Sequence, residues 1–199
     1  MSSIPEKNRL YTYEDYLKWD DSQRWELIDG HAYAMAAPNV WHQRVLLRLS
    51  VELEGHLRGN KCEVFIAPFD VRLDTKRGDY TVVQPDLLVV CDPDKIADGK
   101  TCKGAPDLVV EILSPSNPKK DTDIKLRKYR EAGVKELWFV HPEPKMIQIL
   151  TMTNGDYVPR FFHDEINSPT LPKLTLDLKY ILDITDVVEE NSGPETNLA

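Results

Sequence analysis

The chain has 199 residues, 41% of them hydrophobic, enough for one domain with a real core and too few for two comfortable ones. Its formal net charge of −8 excludes a protein that coats nucleic acid through a broad basic surface, so any affinity for phosphate must be local. No stretch approaches the roughly 18 apolar residues that span a bilayer, and the opening MSSIPEKNRL carries no secretory core; a soluble, cytoplasmic protein with no membrane partner is expected.

Thr12 with Asp15 three positions on has the form of a helix N-cap, so residues 13–19 are predicted to open the fold as a short helix that ends at the polar run 20–22. Segments 24–28 and 31–35 flank Asp29-Gly30, the dipeptide suited to a type I′ turn, and predict a β-hairpin. Over 40–58, Leu46, Leu49, Leu53 and Leu57 recur at helical spacing, which predicts a long amphipathic helix covering one face of a sheet and stopping near Gly59. Strand-like runs follow at 63–67, 70–73, 81–83, 86–90 and 107–113, the last two apolar enough to lie centrally, with a loop-rich stretch over 91–106. A helix over 121–132 closes at Gly133, and a strand at 136–140 comes directly after. Segments 146–151 and 157–162, joined through Asn154-Gly155, form a second hairpin, and 176–182 a short helix. Residues 188–199 are too polar to bury and are expected to be a disordered tail beyond a single domain over 1–187. This order of elements points to an α/β or α+β fold, a mixed central sheet flanked by helices, with one hairpin near the N-terminus and one near the C-terminus.

Cys62, Cys91 and Cys102 are odd in number and lack CxxC spacing, so they read as free thiols rather than as a disulfide framework or a zinc knuckle. The basic cluster Lys119, Lys120, Lys125, Arg127, Lys128 and Arg130, interrupted by Asp121 and Asp123, reads most simply as a solvated helix face.

The sharpest chemical signal is a pair of acids set in apolar strands, Asp86 in Val-Val-Gln-Pro-Asp-Leu-Leu-Val-Val and Glu111 in Asp-Leu-Val-Val-Glu-Ile-Leu. A buried carboxylate costs several kcal/mol unless a cation or donor offsets it. A divalent metal is one such cation: Mg²⁺ takes one or two carboxylates, keeps waters, and completes its octahedron with phosphate oxygens. Singly, each acid also admits a plain structural reading, Asp86 as a strand start after Pro85 and Glu111 as a lysine's partner.

Together they resemble the PD-(D/E)XK nuclease motif, Pro85-Asp86 as its first half and Glu111-Ile112-Leu113 as its second. More closely, the run from Trp25 to about Leu150 resembles the Uma-two family of restriction-endonuclease-like proteins. The resemblance rests on Glu-Leu-Ile-Asp-Gly at 26–30, His42-Gln43, Gln84-Pro85-Asp86, Ala-Pro-Asp-Leu-Val-Val-Glu-Ile-Leu-Ser-Pro-Ser at 105–116, and Asp121, Lys125, Tyr129, Gly133-Val134, Glu136 and Trp138. It implies a restriction-endonuclease-like sheet, with Asp86 and Glu111 as metal ligands, Glu26 as an additional acid, and Mg²⁺ or Mn²⁺ as cofactor. The chain departs from the parent motif at Leu113, where the lysine two residues after Glu111 belongs; the resemblance offers Lys125 instead, reaching back from the following helix.

Pro106-Asp107 spells the same dipeptide, but Asp107 stands four residues before Glu111 on one strand, roughly 13 Å away at about 3.3 Å per residue, too far to share a metal. His42 lies on the helical face of Leu46, Leu49 and Leu53; it is either a histidine satisfied in the core or, followed by Gln43, an accessory residue beside Glu26 at the site mouth. Gln84 is a third accessory candidate. His31, His56, His141 and His163 show no HxH or HExxH spacing, and neither a GxSxG elbow nor a GxxxxGK[ST] loop occurs. The expectation is a metal-dependent endonuclease hydrolysing nucleic acid, DNA before RNA, with Glu26, Asp86, Glu111 and Lys125 as its catalytic set and a homodimer supplying two sites. Leu113 keeps open the alternative of a catalytically silent nucleic-acid-binding or assembly module on the same fold.

Overall fold

In a computed structural model, the described residues are 9–19, 22–75, 78–114, 119–141 and 143–183; the expected tail over 188–199 lies outside them. The chain begins with helix α1 (Tyr13–Tyr16), closed at its start by reciprocal hydrogen bonds between Thr12 and Asp15, the capping arrangement that the spacing of those two residues predicts. Strands β1 (Trp25–Ile28) and β2 (His31–Ala34) pair antiparallel through Asp29-Gly30. Both turn residues have positive φ, 52° and 77°, as the tight turn requires. Helix α2 (Val40–Leu57) then leads to β3 (Glu63–Ile66), β4 (Val71–Arg72), β5 (Val82–Val83) and β6 (Leu87–Val90). The stretch read as loop contains a 3₁₀ turn at Pro93–Ile96 and the two-residue strand β7 (Cys102–Lys103). Strand β8 (Leu108–Ile112), helix α3 (Lys119–Ala132), β9 (Glu136–His141), the hairpin β10 (Met146–Thr153) and β11 (Asp156–Phe162), and helix α4 (Leu178–Leu182) complete it.

The strands form two sheets. A six-stranded mixed sheet runs β11-β10-β9-β8-β6-β3, parallel at the β8–β9 contact, and a five-stranded sheet runs β2-β1-β5-β4-β7. The C-terminal hairpin is thus an extension of the central sheet, whereas the N-terminal hairpin belongs to the smaller sheet.

Alternation along β8 and β6 decides what each face of the central sheet carries. Leu108, Val110, Leu87 and Val89 meet α2 through Val45, Leu46, Leu49, Leu53 and Leu57, together with α4. Val109, Leu88, Val90, Leu137 and Phe139 turn the other way, toward Tyr129 of α3 and toward Val71 and Val83 of the smaller sheet. Burying these two apolar surfaces at about 25 cal/mol per Å² is what clamps both sheets and α3 together. Glu111, two residues after Val109, shares the second face. The Leu87↔Val110 pairing, continued one step, sets Asp86 across from it.

Two cysteines depart from the free-thiol expectation. Cys62 and Cys91 form a disulfide with Cα atoms 3.9 Å apart, because the β3–β6 register, which pairs Glu63 with Val90, brings them opposite each other one position beyond. Cys102 is the remaining thiol, buried. Among the described residues no helix is long and apolar enough to cross a membrane.

Candidate active site

A cleft of about 410 Å³ opens where the smaller sheet, the start of α2, the ends of β6 and β8, and α3 meet, and Glu26, Asp86, Glu111 and Lys125 all line it. Its centre is the Lys125 ammonium, 2.9 Å from Glu26 Oε1 and 3.0 and 3.2 Å from the two oxygens of Glu111. Lys125 ties the two sheets at this point, since Glu26 comes from β1 and Glu111 from β8. Tyr129, one turn further along α3, donates its buried hydroxyl to Glu111 Oε1. Both α3 residues reach one carboxylate because positions i and i+4 share a helix face.

Glu26 is held in turn by the Gln84 backbone N–H, which donates to Oε1 at 2.8 Å. The Gln84 side chain accepts from Arg24 at 3.1 and 2.7 Å, and donates to the Tyr16 hydroxyl and to Asp70. Asp86 accepts from the Ile112 N–H at 2.7 Å, and its other oxygen lies 3.1 Å from His42 Nε2. His42 therefore contacts Asp86, in the cleft that Glu26 and Gln43 also line.

Two carboxylates, Glu26 and Glu111, share one ammonium with Asp86 in the same cleft, and the charge balance shows in the proton affinities of Glu111 and Lys125. Burial pushes the Glu111 carboxyl up; Lys125 opposes this, but the negative charges of Asp86 and Glu26 add to it and leave the group at about 7. Burial works against the Lys125 charge, yet Glu111 and Glu26 outweigh it and hold the ammonium above the ordinary lysine range. The two shifts agree physically: one cation divided between two acids satisfies itself more fully than it satisfies either of them.

The other candidates separate cleanly. Asp107 is engaged elsewhere, with Lys135 at 2.6 Å and the Cys91 N–H at 2.8 Å, as its place at the far end of the strand predicts. In the basic cluster, Arg127 and Lys128 pair with Asp29 and Arg130 with Asp156, so Lys125 alone of these four turns into the cleft; the side chains of Lys119 and Lys120 lie outside the described residues. Tyr129 and Arg24 were not singled out for the site from sequence. Tyr129 carries a usable signal, an aromatic four positions after Lys125 in a mostly charged helix, whereas Arg24 carries none.

Residues 13–179 match the model of the Uma2 family, described as "Putative restriction endonuclease". The chain belongs to that family. This Uma2 chain is 37% identical over 120 residues to the uncharacterized protein slr1290 of Synechocystis sp.. That alignment takes in 58% of this chain and 60% of slr1290, so the chain spans about three-fifths of that relative's length. Its fold is similar to a crystal structure of "a putative nuclease belonging to DUF820" from Anabaena variabilis, with a TM-score of 0.70 at 16% identity, over 86% of this chain and 97% of that one; the likeness is one of fold.

The family description, a restriction endonuclease, carries a divalent metal with it as an expectation. Among the described residues no group of three or more His, Cys, Asp or Glu side chains is arranged as a cation cage, which argues against a zinc or calcium site built from protein alone. Asp86 and Glu111, set across from each other by the register of neighbouring strands and lining one cleft, fit the needs of Mg²⁺ or Mn²⁺, which takes only one or two carboxylates and keeps its waters.

Proposed function

We propose that this chain is a metal-dependent endonuclease that hydrolyses phosphodiester bonds of nucleic acid, DNA in the first instance, with Asp86 and Glu111 as the metal ligands. The observation that carries this reading is Lys125: a buried ammonium held between Glu26 and Glu111, beside Asp86 and inside a cleft, in a chain whose motif position 113 is Leu113. It supports the idea that the lysine of the parent motif has moved from strand to helix while keeping its place next to the acids.

Each residue has a distinct task in this reading. Lys125 stabilises the charge that builds on the phosphoryl oxygens as water adds and the leaving oxygen departs. Glu26, braced by the Gln84 N–H, keeps the ammonium from collapsing wholly onto Glu111. Tyr129 fixes the Glu111 oxygen to which it donates. The bound metal would orient and acidify the attacking water and offset charge on phosphorus. Cutting both strands of a duplex would call for two such sites and hence a homodimer.

The test is nicking of supercoiled plasmid by the wild type, Asp86→Asn and Lys125→Met proteins, each with and without Mg²⁺ or Mn²⁺. Metal-dependent nicking by the wild type, lost in both variants, is expected. Plasmid left intact with either metal, together with a melting temperature that neither metal moves, would replace this reading with that of a silent module.

A further inference from the structure

Asp86 is the acid on which the proposed reaction depends most, and both of its oxygens are held by groups outside the catalytic set. One accepts from the main-chain N–H of Ile112 at 2.7 Å. The other lies 3.1 Å from His42 Nε2. The imidazole is delivered by the first turn of α2, where the Asn39 side chain caps the helix and accepts from the His42 N–H at 2.8 Å. One and two turns further on, Leu46 and Leu49 anchor the same helix in the core, so the ring is carried on a rigid element.

The second ring nitrogen explains why a histidine is there. His42 Nδ1 is buried and has no hydrogen-bond partner among the described residues. Packing alone would be met by leucine, which continues the face of Leu46 and Leu49 and strands no polar atom; a buried unsatisfied group costs about 1 to 3 kcal/mol. An imidazole that tolerates this on one nitrogen is accounted for by what the other nitrogen does.

We propose that His42 is the positioning residue for the metal-binding carboxylate: its Nε2–H fixes the plane of Asp86 and keeps that acid facing Glu111. Without it, Asp86 is pinned at one oxygen only and can swing away from the like charges of Glu111 and Glu26. This inference rests on the nuclease reading above, because it assigns His42 a task only if Asp86 holds a metal.

Calorimetric titration of the full chain with Mn²⁺ tests it, using wild type, His42→Leu, His42→Gln and, as the reference lacking a ligand charge, Asp86→Asn, with metal-free melting curves recorded alongside. Loss of a group that orients a ligating carboxylate weakens metal binding about 10- to 100-fold, and that is the effect expected for H42L in a folded protein. H42Q presents an amide N–H from the same helix position and should bind Mn²⁺ within about threefold of wild type, since it restores the orienting bond. Wild-type affinity in H42L overturns the proposal, and so does an H42Q protein as weak as H42L. Should H42L fail to fold, H42Q decides alone, a loss beyond about tenfold counting against the proposal. A wild type that binds no Mn²⁺, or a D86N protein that binds as well as wild type, removes the nuclease reading itself; loss of binding in D86N with none in H42L removes only the role of His42.

Discussion

Replacing Lys125 by methionine keeps the length of the side chain and removes its charge, which isolates the ammonium from its packing. Lys125 is 17% exposed and its two partners are more deeply buried still, Glu26 at 6% and Glu111 at 10% of their side-chain surface. Breaking a buried ion pair by removing one partner costs about 3 to 5 kcal/mol, because the other charge stays behind uncompensated; two acids stay behind here. For a domain of this size each kcal/mol moves Tm by about 2 to 4 °C, so K125M should melt about 6 to 20 °C below wild type. Circular dichroism of wild type, K125M, E111Q and the double variant measures it. In the E111Q background the methionine should cost about 1 to 3 kcal/mol less than in wild type, the size of coupling expected between residues in one buried network. A surface pair contributes about 1 kcal/mol or less. A K125M loss that small, or costs that add in the double variant to within about 0.5 kcal/mol, would refute the account of Lys125 as the charge that holds the cleft together.

Two further outcomes follow from neighbouring residues. Because the Glu111 carboxyl is raised from 4.5 to about 7, the folded chain keeps a proton over that window which the unfolded chain has released. The Glu111 contribution to stability is therefore present at the acid end and falls as pH rises from 4.5 toward 7; comparing Tm at about pH 5 and about pH 8, E111Q should fall less than wild type. Asp107→Ala strips the Lys135 pair and the acceptor for Cys91 N–H and should cost about 1 to 3 kcal/mol, while plasmid nicking and the Mn²⁺-induced rise in Tm match wild type; loss of either would return Asp107 to the site.

What could be read from the sequence was whatever its own local chemistry enforces. The leucines of α2 recur at helical spacing and have no other use, Asp29-Gly30 and Asn154-Gly155 supply the positive φ that a tight hairpin needs, and a carboxylate among valines at Glu111 demands a partner wherever the chain goes. The missed features depend on register between distant segments. Cys62 and Cys91 bond because β3 and β6 align them, and nothing near either cysteine reports that alignment. Strands β4, β5 and β7 are two residues long, too short for any period, so the smaller sheet they form with β1 and β2 was not separable from the larger one. His42 was legible as a polar interruption of an apolar face, but its partner was not, since the first turn of α2 meets Asp86 only through the packing of the whole helix.

On the proposed reading, a lysine moved from strand to helix changes what the chain has to keep in step. A strand lysine two positions after the acid is bound to it by the pleat, so one inserted residue would turn it to the opposite face. Here the acid stands on β8 while Lys125 and Tyr129 stand together on α3, and the stretch between can vary in length provided α3 docks in the same phase. If that reading holds, the signature to look for is not an acid-x-lysine tripeptide but an acid in an apolar strand followed, at elastic distance, by Lys-x-x-x-Tyr. A pattern scan written that way would find chains that the tripeptide passes over, and position 113 is left free to serve the core as Leu113 does.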